Sequence, residues 1–327
     1  MSLKTLPAKT VSPRRESSTV ATRPSAGKSK FRAFRDKYAD RTFTFVAITI
    51  LVLSIIAVIY PLYFIVIASI SDPNAVYEGK VWLFPSGVTF EGYQRILTDS
   101  RIWSGLTNTM IYTVLGTAIS VSTILCGAYA LSRKVMPGRK FLMLLFVITM
   151  FFDGGLITKY LVVKDLGLLN TVWAVVLPGA IGVWNLIIAR SFFENTIPNE
   201  LREAAQMDGA NDFRFFFQMV LPLSKPLIML MIMVHVVANW NSFFDALIFL
   251  NDDSKYPLQL VLRNILIQSD VSSTGTTGGD IASYAAAQRI AELTKYAMIV
   301  VSSLPLMIAL PFMQKHFTKG MMIGAVK

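Results

Sequence analysis

Few residues in this chain have the types and spacing that catalysis requires. It contains two histidines, His235 and His316, and one cysteine, Cys126. These residues offer no metal-ligand cluster, and the sequence suggests no Ser, His and Asp arrangement of a hydrolase. The glycine-rich run at 275–279 lacks the Lys that completes a phosphate-binding loop. The sequence therefore predicts no metal, cofactor or ATPase site on this chain. Any catalytic reaction that its function requires must take place on another chain.

Polar side chains inside an apolar stretch form a second set of candidates. The candidates for lining a solute path are His235, Asn239, Trp240, Asn241, Ser242 and Asp245. His235, Asn239 and Ser242 are spaced i, i+4 and i+7 and so form one stripe of a helix, while Asn241 and Asp245 lie on another face. Polar groups inside a membrane need partners or water. The first stripe predicts either a path that hydrogen-bonds a polar solute or hydrogen bonds between helices, and both hypotheses stay open.

The segment 202–222, REAAQMDGANDFRFFFQMVLP, is a polar stretch between two long apolar ones. Pro198 suits the first turn of a helix, and Glu203 lies near the positive end of that helix. Gly209 allows a turn that a side chain would resist, and Asn211 can cap a second helix. That second helix repeats apolar residues at i, i+3, i+4, i+7 and i+8, which predicts one continuous apolar face: Phe213, Phe216, Phe217, Val220 and Leu221. Such a unit could sit in a partner's cleft, and the alternative is a helix lying on lipid.

Composition indicates a membrane protein, because 54% of the residues are apolar and only 16% are charged. At about 20 residues per bilayer crossing, six stretches predict an all-α bundle of six transmembrane helices: Phe45–Ser69, Thr107–Leu131, Phe141–Leu161, Thr171–Ala189, Pro226–Leu250 and Tyr296–Met313. Asp153, Gly154 and Gly155 interrupt the third stretch. They predict a shorter helix followed by a re-entrant or interfacial piece.

Lys and Arg determine the predicted orientation. The segment 1–42 carries eleven of them against three Asp and Glu, and the loop 132–140 adds four more. Both are predicted to be cytoplasmic, and this placement accounts for the net charge of +11 without nucleic-acid binding. The chain then divides into a disordered basic tail 1–42, a first transmembrane helix 43–70, an extracytoplasmic segment 71–106, a core bundle 107–313 with a cytoplasmic loop 190–225, and a cytoplasmic tail 314–327.

The loop resembles a known motif. Its Glu-Ala-Ala at 203–205, Gly209 and the Leu-Pro pair at 221–222 resemble the EAA loop of the membrane subunits of ATP-driven bacterial importers, the ABC importers. Four other stretches are similar to the carbohydrate-importer permeases, the family that contains the smaller maltose permease: 83–93, 108–113, 166–171 and 240–244. The stretches 152–161 and 310–327 resemble the subgroup linked to lipoprotein-dependent uptake of complex oligosaccharides, which commonly has Pro where this chain has Thr158.

The resemblance implies a type I importer permease fold in the bacterial plasma membrane, with a second related permease, two copies of an ATP-binding subunit and an extracytoplasmic substrate-binding protein. ATP and Mg²⁺ would bind to the ATP-binding subunit. Residues implied to couple to it are Glu203, Ala204, Ala205, Asp208, Gly209, Phe213, Phe216, Phe217, Leu221 and Pro222. A further contact is implied for Gly320, Gly324 and Lys327. The alternatives are an importer of a polyol, a glycerol phosphate derivative or another small solute, an ion-coupled secondary transporter using His235 or Asp245, and a membrane scaffold.

Overall fold

The computed structural model describes residues 26–274 and 294–312, and all regular secondary structure in these ranges is helical. The α-helices have the following bounds: α1 Ala26–Ser69, α2 Pro73–Tyr77, α3 Glu91–Thr98, α4 Ser100–Ser132, α5 Arg139–Phe151, α6 Gly155–Asp165, α7 Val172–Val176, α8 Val183–Thr196, α9 Asn199–Met207, α10 Asp212–Phe215, α11 Leu221–Leu223, α12 Lys225–Trp240, α13 Phe244–Phe249, α14 Leu258–Thr274 and α15 Thr294–Phe312. A π-helical turn, Phe216–Val220, joins α10 to α11, and a 3₁₀ turn, Asp253–Lys255, precedes α14.

The first helix is longer than the sequence predicts. It begins at Ala26, whereas the sequence predicts disorder up to residue 42. This stretch contains no proline, and adding residues to an existing helix is far less costly than starting a new one. The predicted end of the first span at Ser69 is confirmed.

Several helices are long and apolar enough to cross a membrane. In the described part of the chain, Thr42–Ser69, Ser100–Ser132 and Thr294–Phe312 qualify as single helices. Two bent pairs qualify when each is taken together: α5 with α6, bent by 118°, and 212–223 with α12, bent by 79°. The first bend falls between Phe151 and Gly155, so the interruption predicted there is confirmed. The class of multi-pass helical membrane bundle is confirmed as well.

Two predicted spans are broken instead of continuous. The fourth, Thr171–Ala189, is divided between α7 and α8. The intervening segment contains Pro178, Gly179 and Gly182. Proline interrupts the helical hydrogen bonds, and glycine disfavours a helix because of its backbone freedom. The fifth, Pro226–Leu250, is divided between α12 and α13.

Helix α4 is the centre of the bundle, and it packs most extensively against α12 and α8. A close approach to α12 depends on Gly116, because a Cβ there would lie 2.9 Å from the side-chain nitrogen of Asn239. Asp99 caps the start of α4 by accepting a hydrogen bond from the Arg101 backbone N–H at 2.9 Å. The side-chain hydrogen bond from Arg101 lowers the pKa of Asp99. The start of α4, the helix with the most extensive packing, is therefore stabilised by a side-chain cap.

Candidate functional site

The segment 199–223 forms the helix, turn and helix that the sequence predicts. Helix α9 follows Pro198, and Gly209 lies in a turn with a φ of +77°. The Gly209 N–H donates to the Gln206 carbonyl at 3.0 Å, which closes the turn. Asn211 caps α10 by accepting a hydrogen bond from the Arg214 backbone N–H at 2.8 Å. We call 199–223 the coupling segment below.

Helix α9 packs through one side. Ala205 is buried and belongs to the core cluster formed with α4, α8 and α12. Glu203, Ala204 and Asp208 are exposed on the other side. A small residue at position 205 lets the helix lie close to the bundle while its acidic side chains face outward.

The predicted single apolar face of the second helix was wrong. Phe216 and Val220 are buried in the core, whereas Phe213 and Phe217 are 77% and 60% exposed. The helix widens into a π turn at this point, and the i→i+5 hydrogen bonds of such a turn alter the helical register of the side chains. Pro222 follows directly and has no N–H to continue the α-helical pattern. The segment consequently has a buried side and an exposed aromatic pair.

The coupling segment is held to the end of α4 by rings and charges. The Tyr129 ring lies 4.8 Å from the Phe216 ring, centroid to centroid. Arg133 places its guanidinium 5.3 Å from the Tyr129 centroid and 3.0 Å from Asp212 Oδ1. Arg202 approaches the same carboxylate at 3.6 Å. The segment is thereby in direct contact with the C-terminal end of α4.

Three of the predicted path residues have partners within the bundle. His235 is buried and donates from Nδ1 to the Met231 carbonyl at 2.8 Å. The Asn239 amide donates to Thr117 Oγ1 at 3.4 Å, and the Trp240 indole N–H donates to the Ser302 carbonyl at 3.0 Å. These contacts are of the kind expected for hydrogen bonds within and between helices.

The other three path residues differ in their surroundings. Asn241 is exposed, and its amide donates to the Val237 carbonyl within α12; Ser242 is half-buried. Asp245 forms an ion pair with Lys159, with Nζ and Oδ1 2.7 Å apart, which joins α13 to α6. Sequence reasoning missed Lys159, although a charged residue in an apolar segment requires a partner. A role of these six residues in a solute path stays a prediction.

Some sequence candidates lie outside the described residues. They are the glycine-rich run 275–279 and the predicted C-terminal contacts Gly320, Gly324 and Lys327. Within the described part, no three His, Cys, Asp or Glu side chains are grouped so that they could hold a metal ion.

An apolar helix bundle with a helix–turn–helix segment packed on its core is the architecture that the sequence predicts for an importer permease. The chain belongs to the family described as binding-protein-dependent transport system inner membrane component, which it matches over residues 26–323. It is accordingly a multi-pass permease subunit of an ATP-driven sugar importer, and such permeases function with an ATPase and a substrate-binding protein.

Relatives and solved structures agree with this assignment. The chain is 39% identical to the polygalacturonan/rhamnogalacturonan transport system permease protein YtcP of Bacillus subtilis (strain 168), over 88% of this chain and 99% of that protein. It is also 39% identical to Protein LplC of the same organism, over 82% and 89%. A crystal structure of a bacterial ABC transporter involved in the import of the acidic polysaccharide alginate contains a similar chain. The TM-score is 0.76 at 33% identity, covering 85% of this chain and 98% of that one. The predicted type I fold is confirmed.

Proposed function

We propose that this permease forms half of the path for an oligosaccharide released from a polysaccharide, with uronic-acid oligosaccharides as the first candidates. The support for the cargo comes from what its relatives transport. One is named for polygalacturonan and rhamnogalacturonan transport, and one solved structure is involved in alginate import. All three polysaccharides are rich in acidic sugars. The glycerol-3-phosphate permeases among the relatives are more distant, at 26% identity.

The observation that carries the coupling proposal is the two-sided coupling segment. Its buried side, with Ala205 and Phe216, is part of the bundle core. Its exposed side presents Phe213 and Phe217, and the acidic residues Glu203 and Asp208 are exposed as well. Exposed aromatic anchors on a rigid element are typical of binding hot spots. In this proposal the phenylalanines enter a cleft of the ATPase, and Gly209 sets the angle between the two helices.

The proposed cycle follows from that connection. Two ATPase subunits close on ATP and Mg²⁺ and move the coupling segments of this chain and of a second related permease. The movement reaches α4 through Phe216 and Tyr129, and the bundle opens outward to receive sugar from the binding protein. Gly320, Gly324 and Lys327 are proposed as additional contacts with the ATPase. This chain contributes no catalytic group and has cytoplasmic termini in the plasma membrane.

An ion-coupled mechanism has less support. It would need a titratable side chain that is free to exchange ions along the path. Asp245 is held by Lys159 at 2.7 Å, and His235 is buried with its Nδ1 bound to a backbone carbonyl. Both candidates named from the sequence are therefore engaged in structural contacts.

A matched pair of substitutions tests the coupling proposal. Phe213 and Phe84 are 77% and 78% exposed, so Phe213→Ser and Phe84→Ser remove equal apolar surface at different places. Loss of an aromatic hot spot costs about 2 kcal/mol or more, which is roughly 30-fold in affinity. We expect Phe213→Ser to release the ATPase during purification and to abolish ATP-dependent uptake, and Phe84→Ser to retain both.

Uptake into proteoliposomes that contain the purified complex tests the cargo. With the binding protein present, wild-type complex should take up radiolabelled oligogalacturonate and not glycerol 3-phosphate. Retention of the ATPase by Phe213→Ser would refute the role of the aromatic pair. Uptake of glycerol 3-phosphate alone would refute the cargo and leave the coupling result standing.

A further inference from the structure

A groove of about 410 Å³ lies between the end of α4 and the coupling segment. Its lining is largely apolar and includes Cys126, Tyr129, Ala130, Met136, Phe213 and Phe216. We call it the apolar chamber. A second groove of about 230 Å³, the cationic chamber, shares Tyr129, Arg133 and Arg202 with it. The two chambers are therefore neighbours that share wall residues, and one is apolar while the other is charged.

The apolar chamber extends to the depth of the membrane. Cys126 and Arg133 are seven residues apart, which corresponds to about 10 Å along a helix. Cys126 and Ala130 belong to the candidate span Ser100–Ser132, and Cys126 is exposed. In α4 the two turns before Arg133 are apolar, and the charges begin at Arg133. Such a transition places this end of the helix at the boundary between lipid headgroups and hydrocarbon. The part of the chamber that Cys126 lines accordingly lies at the depth of the hydrocarbon.

Cations dominate the charged part. Four of them line the two chambers against two carboxylates: Arg133, Lys134, Arg139 and Arg202 against Asp212 and Glu194. Glu194 is already paired with Arg139 at 3.3 Å, and Asp212 with Arg133 at 3.0 Å. Lys134 is exposed and forms no ion pair with a described residue. Positive charge remains for an outside ligand.

Arg202 is the member least satisfied by the protein. Its Nε is buried and has no hydrogen-bond partner among the described residues. Its closest carboxylate is Asp212 at 3.6 Å, which Arg133 already holds. A buried donor without an acceptor is costly, and a phosphate oxygen would supply that acceptor in the geometry that guanidinium groups favour.

We propose that the two chambers bind one anionic phospholipid, with its phosphate at Arg202 and Lys134 and one acyl chain along Cys126 and Tyr129. Basic pockets beside transmembrane helices bind such headgroups. A segment of the soluble ATPase fits the site less well, because the chamber continues about 10 Å beyond Arg133 into the apolar part of α4. Since Phe216 lines the chamber as well, the lipid contacts both the span and the coupling segment.

Lipid-specific fluorescence quenching tests the site in the assembled complex. Cys126 is the chain's single cysteine, lines the chamber and is exposed, so it accepts a bimane label when the partner subunits lack reactive cysteines. The complex is placed in two kinds of nanodisc with the same mole fraction of brominated lipid. One contains brominated phosphatidylglycerol in plain phosphatidylcholine, and the other contains brominated phosphatidylcholine in plain phosphatidylglycerol. We expect phosphatidylglycerol to quench with at least fivefold higher relative affinity.

Single-charge variants locate the headgroup. Arg202→Gln keeps the Arg133–Asp212 pair, and Lys134→Gln changes an exposed side chain. Each should lower the preference for phosphatidylglycerol roughly fivefold, the factor expected for one cation near anionic lipid. Lys164→Gln, which removes an exposed cation from α6, should leave the preference unchanged.

Three outcomes would overturn the proposal. Equal quenching by both lipids in the wild-type complex would show that the site does not select the charge. A preference that survives both Arg202→Gln and Lys134→Gln would place the lipid elsewhere. Absence of quenching by either lipid would show that another protein surface covers the groove.

Discussion

Substitution of Gly209 gives the sharpest test of the coupling segment, because its cost can be assigned to the backbone alone. The residue has a φ of +77°, and a Cβ built there meets no atom within 4 Å. An L-residue in this left-handed region costs about 1–2 kcal/mol. Asn tolerates the region better, and a β-branched residue tolerates it worst. The structure therefore ranks three replacements without any steric contribution.

The ranking translates into transport. A penalty of 1–2 kcal/mol shifts the population of the native turn roughly 5- to 30-fold. The turn is also closed by the hydrogen bond from Ala210 N–H to the Ala205 carbonyl at 2.9 Å, so loss of the turn changes the angle between α9 and α10. We expect ATP-dependent uptake to fall in the order Gly209, Gly209→Asn, Gly209→Ala, Gly209→Val, while the amount of protein in the membrane stays constant.

A second glycine supplies the control. Gly167 has a φ of +67° and likewise no atom within 4 Å of a Cβ, and it lies between α6 and α7, away from the coupling segment. Gly167→Val therefore imposes a similar backbone penalty elsewhere. Uptake is measured in proteoliposomes with equal amounts of complex. If Gly167→Val reduces uptake as much as Gly209→Val does, or if Asn and Val at 209 behave alike, the backbone argument for the coupling turn is refuted.

Three further predictions concern the bundle. Lys159→Met leaves Asp245 unpaired and should reduce the stability by about 2 kcal/mol. This is less than for a fully buried pair, because both side chains keep some exposure. Thermal unfolding in detergent should show that adding Asp245→Leu restores part of the lost stability. Gly116→Ala places a Cβ 2.9 Å from the Asn239 amide nitrogen and should cost about 1–3 kcal/mol, which Asn239→Ala in the same chain should relieve. The pKa of Asp99 is lowered in the native state, so Asp99→Asn should lower the free energy of unfolding by its full amount at neutral pH and by less as the pH falls below about 4. A difference between wild type and variant that stays constant across that range would contradict the assigned shift.

The sequence predicted the parts of the fold that depend on local signals. The glycine turn at 209, the cap at Asn211 and the break between Phe151 and Gly155 all follow from single residues whose backbone preferences are strong. The class of helical membrane bundle followed from composition and the length of apolar stretches. Each of these features needs only its own stretch of chain.

Features that depend on contacts between distant segments could not be predicted in the same way. The pair of Lys159 and Asp245 joins residues 86 positions apart, and one sequence offers no measure of that proximity. The division of the apolar face between buried Phe216 and exposed Phe213 arises from a π turn, whereas the periodicity argument assumes an α-helix throughout. The helical start at Ala26 depends on continuity with the apolar helix that follows.

The packing of the coupling segment explains why a small displacement at its surface could act on the whole bundle. Phe216 and Val220 lie in one cluster with residues of α4 and α8. Close-packed protein interiors are poorly compressible, so a force on the exposed Phe213 moves its buried neighbours instead of deforming them. The next link is Gly116, where α4 and α12 are in contact through Asn239. A substitution that loosens this link without unfolding the chain should therefore separate ATP hydrolysis from transport: hydrolysis would continue while uptake falls.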